Sequence, residues 1–212
     1  MTQTGSADVA ADTPLDRGAA RRIAFLKAAR AVFLEQGYVA ASVNEVVRLA
    51  GGSLATLYSQ FGSKEGLFIA VAQDQHERFA EAIMPECVDH LPLEQGLQSI
   101  GEQFMHALFA PENLAFFRVV VGEGRKFPEL VQAYINASAD DVRGVVIGYL
   151  RRRAPFVEDP YMAACYFLEM LRARHHYHAL ADDSYALSET ELREHVAAAV
   201  RFLRRGMGDP SI

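Results

Sequence analysis

The sequence predicts an all-α protein of about nine helices, on three observations. The 212 residues hold no run of alternating β-branched positions, so the period-2 signature of strands is missing. Prolines and glycines arrive at intervals suited to helices: Pro92, Pro111, Pro128 and Pro160 stand where helices open, Gly37, Gly51-Gly52 and Gly122 where they end. Between these breakers apolar residues recur at helical spacing. Half of the chain is hydrophobic, enough for one large domain or two small ones.

Residues 1–16 carry three aspartates and no apolar core of a signal peptide, and read as a flexible acidic tail. A first helix is expected from Ala19 to Gln36, with Phe25, Leu26, Ala29 and Phe33 inward and Gly37 as its stop. Ser42 followed by Glu45 has the spacing of a capping box, in which each side chain satisfies an orphan amide of the helix start. The short helix it opens carries Val43, Val46, Val47 and Ala50. Gly51-Gly52 breaks that helix, and Ser53 is placed to cap a third one through Gln60. Two short helices joined by a glycine turn make a helix-turn-helix, whose second helix reads the DNA major groove.

These residues resemble the TetR family of one-component regulators. Ala28, Ala29, Phe33, Gly37-Tyr38, Ser42-Val43, Ala50-Gly51, Ser53, Thr56-Leu57-Tyr58, Phe61, Ser63-Lys64-Glu65 and Leu67 match in one register, over the first third of the chain. The chain departs from the family at Gly52, usually aliphatic, which should loosen the turn. It departs again at Leu54-Ala55, where a polar residue and a glycine are usual.

Charge is divided in a way that suits this resemblance. The chain carries −6 overall, yet residues 17–66 hold seven Lys/Arg against three acids. The rest after the tail holds 14 against 21. A basic module joined to an acidic one fits a domain that meets phosphates and one that does not. The expected division is therefore a tail over 1–16, a DNA-binding domain over 17–66, and a helical effector-binding and dimerisation domain over 67–212.

Ser63 is placed to cap a fourth helix that runs to about Met84, before Pro85. Pro92 opens a fifth helix with Leu97, Ile100, Phe104, Met105 and Leu108. Pro111 and Asn113 introduce a sixth with Phe116, Phe117, Val120 and Val121. Pro128 opens a seventh to about Arg153. Asp159-Pro160 starts an eighth, and Ser188 with Glu191, a second capping box, starts a ninth to about Arg205.

On composition alone the Phe and Met stripe of helices 5 and 6 reads as packed core. The resemblance implies instead that these helices enclose an effector pocket for a hydrophobic or amphipathic molecule. Its expected lining is Phe104, Met105, Leu108, Phe116, Phe117, Val120, Met170, Arg174, His175 and His178. Phe116 to Leu130 is similar to the sensor domains of efflux-pump regulators. His175 and His178 share a helical face, but no acid at i+4 completes a metal set, so no metal and no cofactor is expected. The eighth helix is apolar on all sides and must be covered on all sides. A two-fold bundle of helices 8 and 9 would do this, through Tyr161, Leu168, Leu192, Val196, Val200 and Leu203.

In the reading helix, Leu57 and Phe61 should face inward. Ser53, Leu54, Ala55, Thr56, Ser59 and Gln60 then face the groove, with Gln60 able to pair with adenine. Ser42, Tyr58 and Lys64 match phosphate-contacting positions of the family, and Arg48 is either a further contact or a solvated charge. The chain lacks the GxGxxG, P-loop, HExxH and GxSxG motifs, so an enzyme is not expected. Cys87 and Cys165 read as buried small hydrophobes in a reduced, cytoplasmic setting, and no apolar run reaches the ~18 residues of a membrane span. The expected partners are double-stranded DNA, a small effector and a second copy of the chain. A repressor released by its effector is the leading reading; an activator or a ligand-independent DNA binder of the same fold is the alternative.

Overall fold

The computed structural model describes residues 14–83 and 88–211, less the side chains at 14–16, 130, 133 and 135–141. Among these residues there are nine α-helices and no strand. They are α1 (Pro14–Ala40), α2 (Val43–Ala50), α3 (Leu54–Phe61), α4 (Lys64–Ile83), α5 (Leu93–Leu108), α6 (Pro111–Glu123), α7 (Pro128–Arg153), α8 (Pro160–Ala181) and α9 (Glu189–Gly206). The chain divides into two compact units, up to Val71 and from Ala72, so the division falls inside α4. Residues 14–16, read as tail, are helical and open α1; Met84, Pro85 and Cys87 lie outside the described residues.

The first unit closes on an aromatic core. Phe25, Ala29, Val32 and Phe33 of α1 are fully buried with Val46, Leu57, Leu67 and Phe68. Phe25 meets Phe61 edge-on at 6.2 Å, and Phe68 meets Phe33 and Tyr38 edge-on at 5.1 Å each. The expected break in α1 is at Gly37, where φ is 72° and ψ 170°. Chain geometry there suits a residue without a Cβ. The Ser63 hydroxyl accepts from the Gly66 amide at 3.0 Å, as a cap for α4 should.

The Ser42 capping box does not form. Ser42 occupies the N-cap position of α2, but its hydroxyl makes no cap bond. Glu45 instead accepts two bonds from the Arg48 guanidinium, at 2.9 and 2.6 Å. Both lie on one helix face, and a charge-assisted fork outcompetes a bond to a neutral amide.

The second unit is built around α5, whose Leu97, Ile100, Phe104 and Met105 are fully buried. Two glycines let neighbours approach it closely. A Cβ on Gly96 would fall 1.9 Å from the Tyr149 hydroxyl of α7, and one on Gly101 2.5 Å from Val196 of α9. Tyr149 is completely buried and donates its hydroxyl to the Pro92 carbonyl at 3.3 Å. Pro92 is the N-cap residue of α5, one place earlier than expected. Asp159 and Ser188 cap α8 and α9, and the box between Ser188 and Glu191 is complete in both directions.

Helix α8 is interrupted at Ala173, where φ is 29° and ψ −143°. Among the described residues it is the only non-glycine with positive φ. Such a conformation costs roughly 1–3 kcal/mol and persists only where the surroundings hold it. No single helix among the described residues is long and apolar enough to cross a membrane; α5 and α6 satisfy the length and composition only as a pair bent by 67°.

Candidate nucleic-acid interface and cavity

On α3 the amphipathic split is as expected. Leu57 and Phe61 are buried, while Ser53, Leu54, Ala55, Thr56, Tyr58 and Ser59 are exposed on the other side. Ser53 accepts from the Thr56 amide at 3.1 Å, and the two hydroxyls lie 2.9 Å apart, so Thr56 is partly committed to the cap. Gln60 is half-buried, and its Oε1 is buried with no hydrogen-bond partner among the described residues. An unmatched oxygen costs about 1–3 kcal/mol, which favours rotation of this amide outward.

The turn before α3, expected to be loosened by Gly52, is held from α1. Arg21 of α1 donates one nitrogen to the carbonyls of Ala50 and Gly51, at 3.2 and 2.8 Å. Gly52 has φ 119°, and a Cβ there would sit 3.2 Å from the Phe25 ring. A bulkier residue would have to move that ring, and the left-handed backbone suits glycine.

The basic groups are individually anchored. Lys64 donates to the Val39 carbonyl at 2.9 Å and lies 5.0 Å over the Tyr38 ring. Arg22 lies 4.7 Å over Phe61. Arg48 is largely exposed and bonded to Glu45, an arrangement that holds the Glu45 carboxyl below its usual range. Exposed pairs of this kind contribute little, so Arg48 can exchange its partner for a phosphate at small cost. Ser42 is exposed as well.

The second unit contains a cavity of about 410 Å³. Gln75, His76 and Phe79 of α4, Leu108 of α5, Asn113 and Phe117 of α6, and Tyr134, Val142 and Arg143 of α7 line it, with Cys165, Leu168, Glu169, Arg172, His176 and Tyr177 of α8. Its wall is aromatic. Tyr134 lies 4.4 Å from His76, 5.9 Å from Phe116 and 6.0 Å from Phe117, and Phe117 lies 4.9 Å from His176, centroid to centroid. Gln75 donates to Asn113, whose own amide donates to the Ala107 carbonyl at 2.6 Å. Burial pushes the Tyr134 phenol up to about 12, so it stays a donor. Burial, helped by the Arg172 charge, pushes the His176 imidazole down to about 4, so it is neutral at pH 7.

Of the ten expected lining residues only Leu108 and Phe117 line this cavity. Phe104, Met105, Phe116 and Val120 are buried in the core beside it, and Met170 is packed against that core. Arg174 is exposed. His175 faces away: its Nδ1 lies 2.5 Å from the Tyr185 hydroxyl and its ring 4.6 Å from His195. His178 stacks on Tyr185 at 5.3 Å. On α8 the lining runs through Cys165, Leu168, Glu169, Arg172 and His176 at regular helical spacing, so the expected Met170, Arg174, His175 and His178 stand on other faces of the helix. The missed lining on α4 and α7 carries no motif, and only its aromatic content signals it.

The expected pairing stripe also belongs elsewhere. Leu168, Leu192, Val196, Val200 and Leu203 are each at most 4% exposed, packed within the core of their own unit. A residue already covered by α5 has no surface left for a partner. Of that set Tyr161 alone is exposed, and it stands with Met162 and Tyr166 of α8 and Phe202 of α9 among the exposed large apolar residues. Among the described residues no group of three or more His, Cys, Asp or Glu is placed to hold a metal ion.

A capped reading helix with an exposed face, next in sequence to an all-helical unit with a cavity, defines a helix-turn-helix transcriptional regulator. The model of "Bacterial regulatory proteins, tetR family" matches residues 25–71, and that of "AefR-like transcriptional repressor, C-terminal domain" matches residues 95–205. The chain belongs to the TetR family of transcriptional regulators. It is 35% identical over 68 residues to the HTH-type transcriptional repressor AcnR of Corynebacterium glutamicum, covering 32% of this chain and 36% of that one. It is 29% identical over 133 residues to the HTH-type transcriptional regulator BetI of Rhizobium meliloti, covering 62% and 60%. The chain thus spans between about a third and three fifths of these curated relatives. Among solved structures, a TetR-family regulator from Mesorhizobium loti superposes with a TM-score of 0.78 at 24% identity, covering 90% of this chain and 98% of that one. The Flavonoid-responsive Regulator FrrA superposes with 0.75 at 26%, covering 88% and 96%.

Proposed function

We propose that this regulator is a ligand-responsive repressor that binds a palindromic operator as a dimer and is released by a small hydrophobic or amphipathic effector. The observation that carries the effector is the aromatic cavity, whose volume of about 410 Å³ falls in the range of small-molecule sites. The solved neighbour named as flavonoid-responsive supports the same reading. Pairing uses Tyr161, Met162, Tyr166 and Phe202, an apolar set on α8 and α9 that the isolated chain leaves exposed. Two copies then hold two reading helices about 34–36 Å apart, or a multiple of that, as the two halves of a palindrome require.

Ser42, Tyr58 and Lys64 hold phosphates, with Arg48 joining them on releasing Glu45. Leu54 and Ala55 meet thymine methyls, and Gln60 reads a base edge once rotated outward. Helix α4 carries Gln75, His76 and Phe79 on the cavity wall and begins at Lys64. An effector that binds better to the state unable to hold DNA empties the operator by mass action.

Fluorescence anisotropy with DNA from upstream of the protein's own gene, at two salt concentrations, tests this. Specific, salt-sensitive binding by a dimer is expected. Tyr58→Phe should weaken binding to every operator sequence by a similar factor, while Gln60→Ala should alter the ranking of sequences. Equal losses on all sequences from both variants would sink that division of roles. A monomer bound to a single half-site would sink the dimer.

A further inference from the structure

The turn that precedes the reading helix is held by a residue outside the helix-turn-helix. We infer that Arg21 is a positioning residue for DNA recognition: it sets the reading helix through this turn and does not itself touch DNA. The bare backbone at Gly52 is what admits its side chain. The inference rests on α3 as the reading helix.

Three elements meet at one point. Helix α2 ends at Ala50 with Gly51 as its C-cap residue, and carbonyls at a helix end find no partner within the helix. Arg21 of α1 supplies one for both, from a single nitrogen at 3.2 and 2.8 Å. These oxygens lie at the negative end of the α2 dipole, where a cation is favoured. Arg48, the basic residue of the last turn of α2, is committed to Glu45. A Cβ on Gly52 would lie 3.2 Å from the Phe25 ring, 3.6 Å from Cδ of Arg21 and 3.7 Å from its Nη1. The arginine stem therefore crosses the glycine, and a larger side chain there would displace the stem or the ring.

Helix α1 thus grips α3 before its start and at its end. Arg21 holds Gly51, two residues before the Ser53 cap, and Phe25, one turn along α1, meets Phe61, the last residue of α3. Leu54, Ala55 and Gln60, the residues offered to bases, lie between the two grips. Base edges are read by exact placement, whereas phosphates are met largely by charge. Loosening the first grip therefore removes sequence preference before it removes general affinity.

Fluorescence anisotropy of the full-length protein tests this, with a duplex selected by the parent protein from a random-sequence pool and an unrelated duplex of equal length. Urea denaturation checks that each variant is folded under the assay conditions. Arg21→Met keeps an unbranched stem over Gly52 and removes the donors; Arg21→Gln takes its place if that variant does not fold. Binding to the selected duplex should weaken about tenfold, the order of one misaligned base contact. Binding to the unrelated duplex should stay within about twofold, and the slope of log affinity against log salt should not change. Arg21→Lys, which keeps the charge and a donor, should restore most of the loss. Gly52→Ala, where it folds, should weaken the selected duplex in the same way and add little to Arg21→Met in the double variant. A phosphate contact would instead weaken both duplexes alike and lower the salt slope by about one. That result, or a folded Arg21 variant with full affinity for the selected duplex, overturns the positioning role and leaves α3 as the reading helix. A parent protein that prefers no duplex in the pool overturns both.

Discussion

The two units of this regulator use aromatic residues in opposite ways. In the first unit, Phe25, Phe33, Phe61, Phe68 and Tyr38 interlock by edges and leave a closed core under the reading helix. In the second, Tyr134, Phe117, His76 and His176 stand equally close to one another yet face a cavity. The difference is one of mixing. The first set is apolar but for one phenol, and close packing satisfies it. The second interleaves rings with imidazoles, amides and guanidiniums, whose hydrogen-bonding groups resist complete packing. A closed core in the first unit and a cavity in the second follow from that difference in composition.

Truncating one ring in each unit gives the largest contrast. Phe33→Ala removes a fully buried ring from a core with no room to collapse, and should cost about 3–5 kcal/mol. Phe117→Ala enlarges an existing cavity and should cost less than about half of that. Urea denaturation followed by circular dichroism measures both; equal losses would mean that the cavity wall is as tightly packed as the head.

Much of the first unit was readable because its determinants are local. The stop at Gly37, the Ser53 and Ser63 caps and the inward pair Leu57 and Phe61 depend on partners a few residues away. The clamp from Arg21 to the turn, 29 and 30 residues on, was not readable, because nothing in an arginine's neighbours says where its side chain reaches. In the second unit helix boundaries were readable from prolines and caps, but faces were not. The need to cover an all-apolar α8 assigned the α9 stripe to a partner copy, where Gly96 and Gly101 in fact bring α7 and α9 onto α5 and cover it. On α8 the expected lining took the face of Met170, Arg174 and His178, where the cavity is lined by the neighbouring face of Leu168, Arg172 and His176.

Acid sharpens the contrast by a smaller amount. His176 has an ordinary value near 6.5 when unfolded and about 4 when folded, lowered chiefly by burial and by Arg172. The group faces Arg172 and Glu169 on its own helix and Phe117 on α6. Its stabilising contribution is complete above about 6.5 and is lost as pH falls toward 4, because the unfolded chain takes up the proton first. His176→Phe should therefore show a shallower fall in melting temperature between these values than the parent protein. Parallel curves would place the acid sensitivity in other groups.

The smallest effect isolates a single hydrogen bond. Ser42-x-x-Glu45 and Ser188-x-x-Glu191 have one spacing, and both glutamates are held below their usual range, but by different partners. Glu45 owes this first to the Arg48 side chain, Glu191 to the Ser188 hydroxyl and amide. The competitor decides. Arg48 lies three residues beyond Glu45, one helical turn away, whereas the corresponding position beyond Glu191 is Glu194, which has nothing to donate. Ser188→Ala should cost about 1 kcal/mol, the usual loss at an N-cap, and Ser42→Ala a few tenths at most. The order should change if Arg48 is removed as well. In an Arg48→Ala background Glu45 is released to complete the box, so Ser42→Ala should then approach the cost of Ser188→Ala. A double-mutant cycle in urea reads this coupling, and a coupling of zero would mean that Arg48 is not what keeps the first box open.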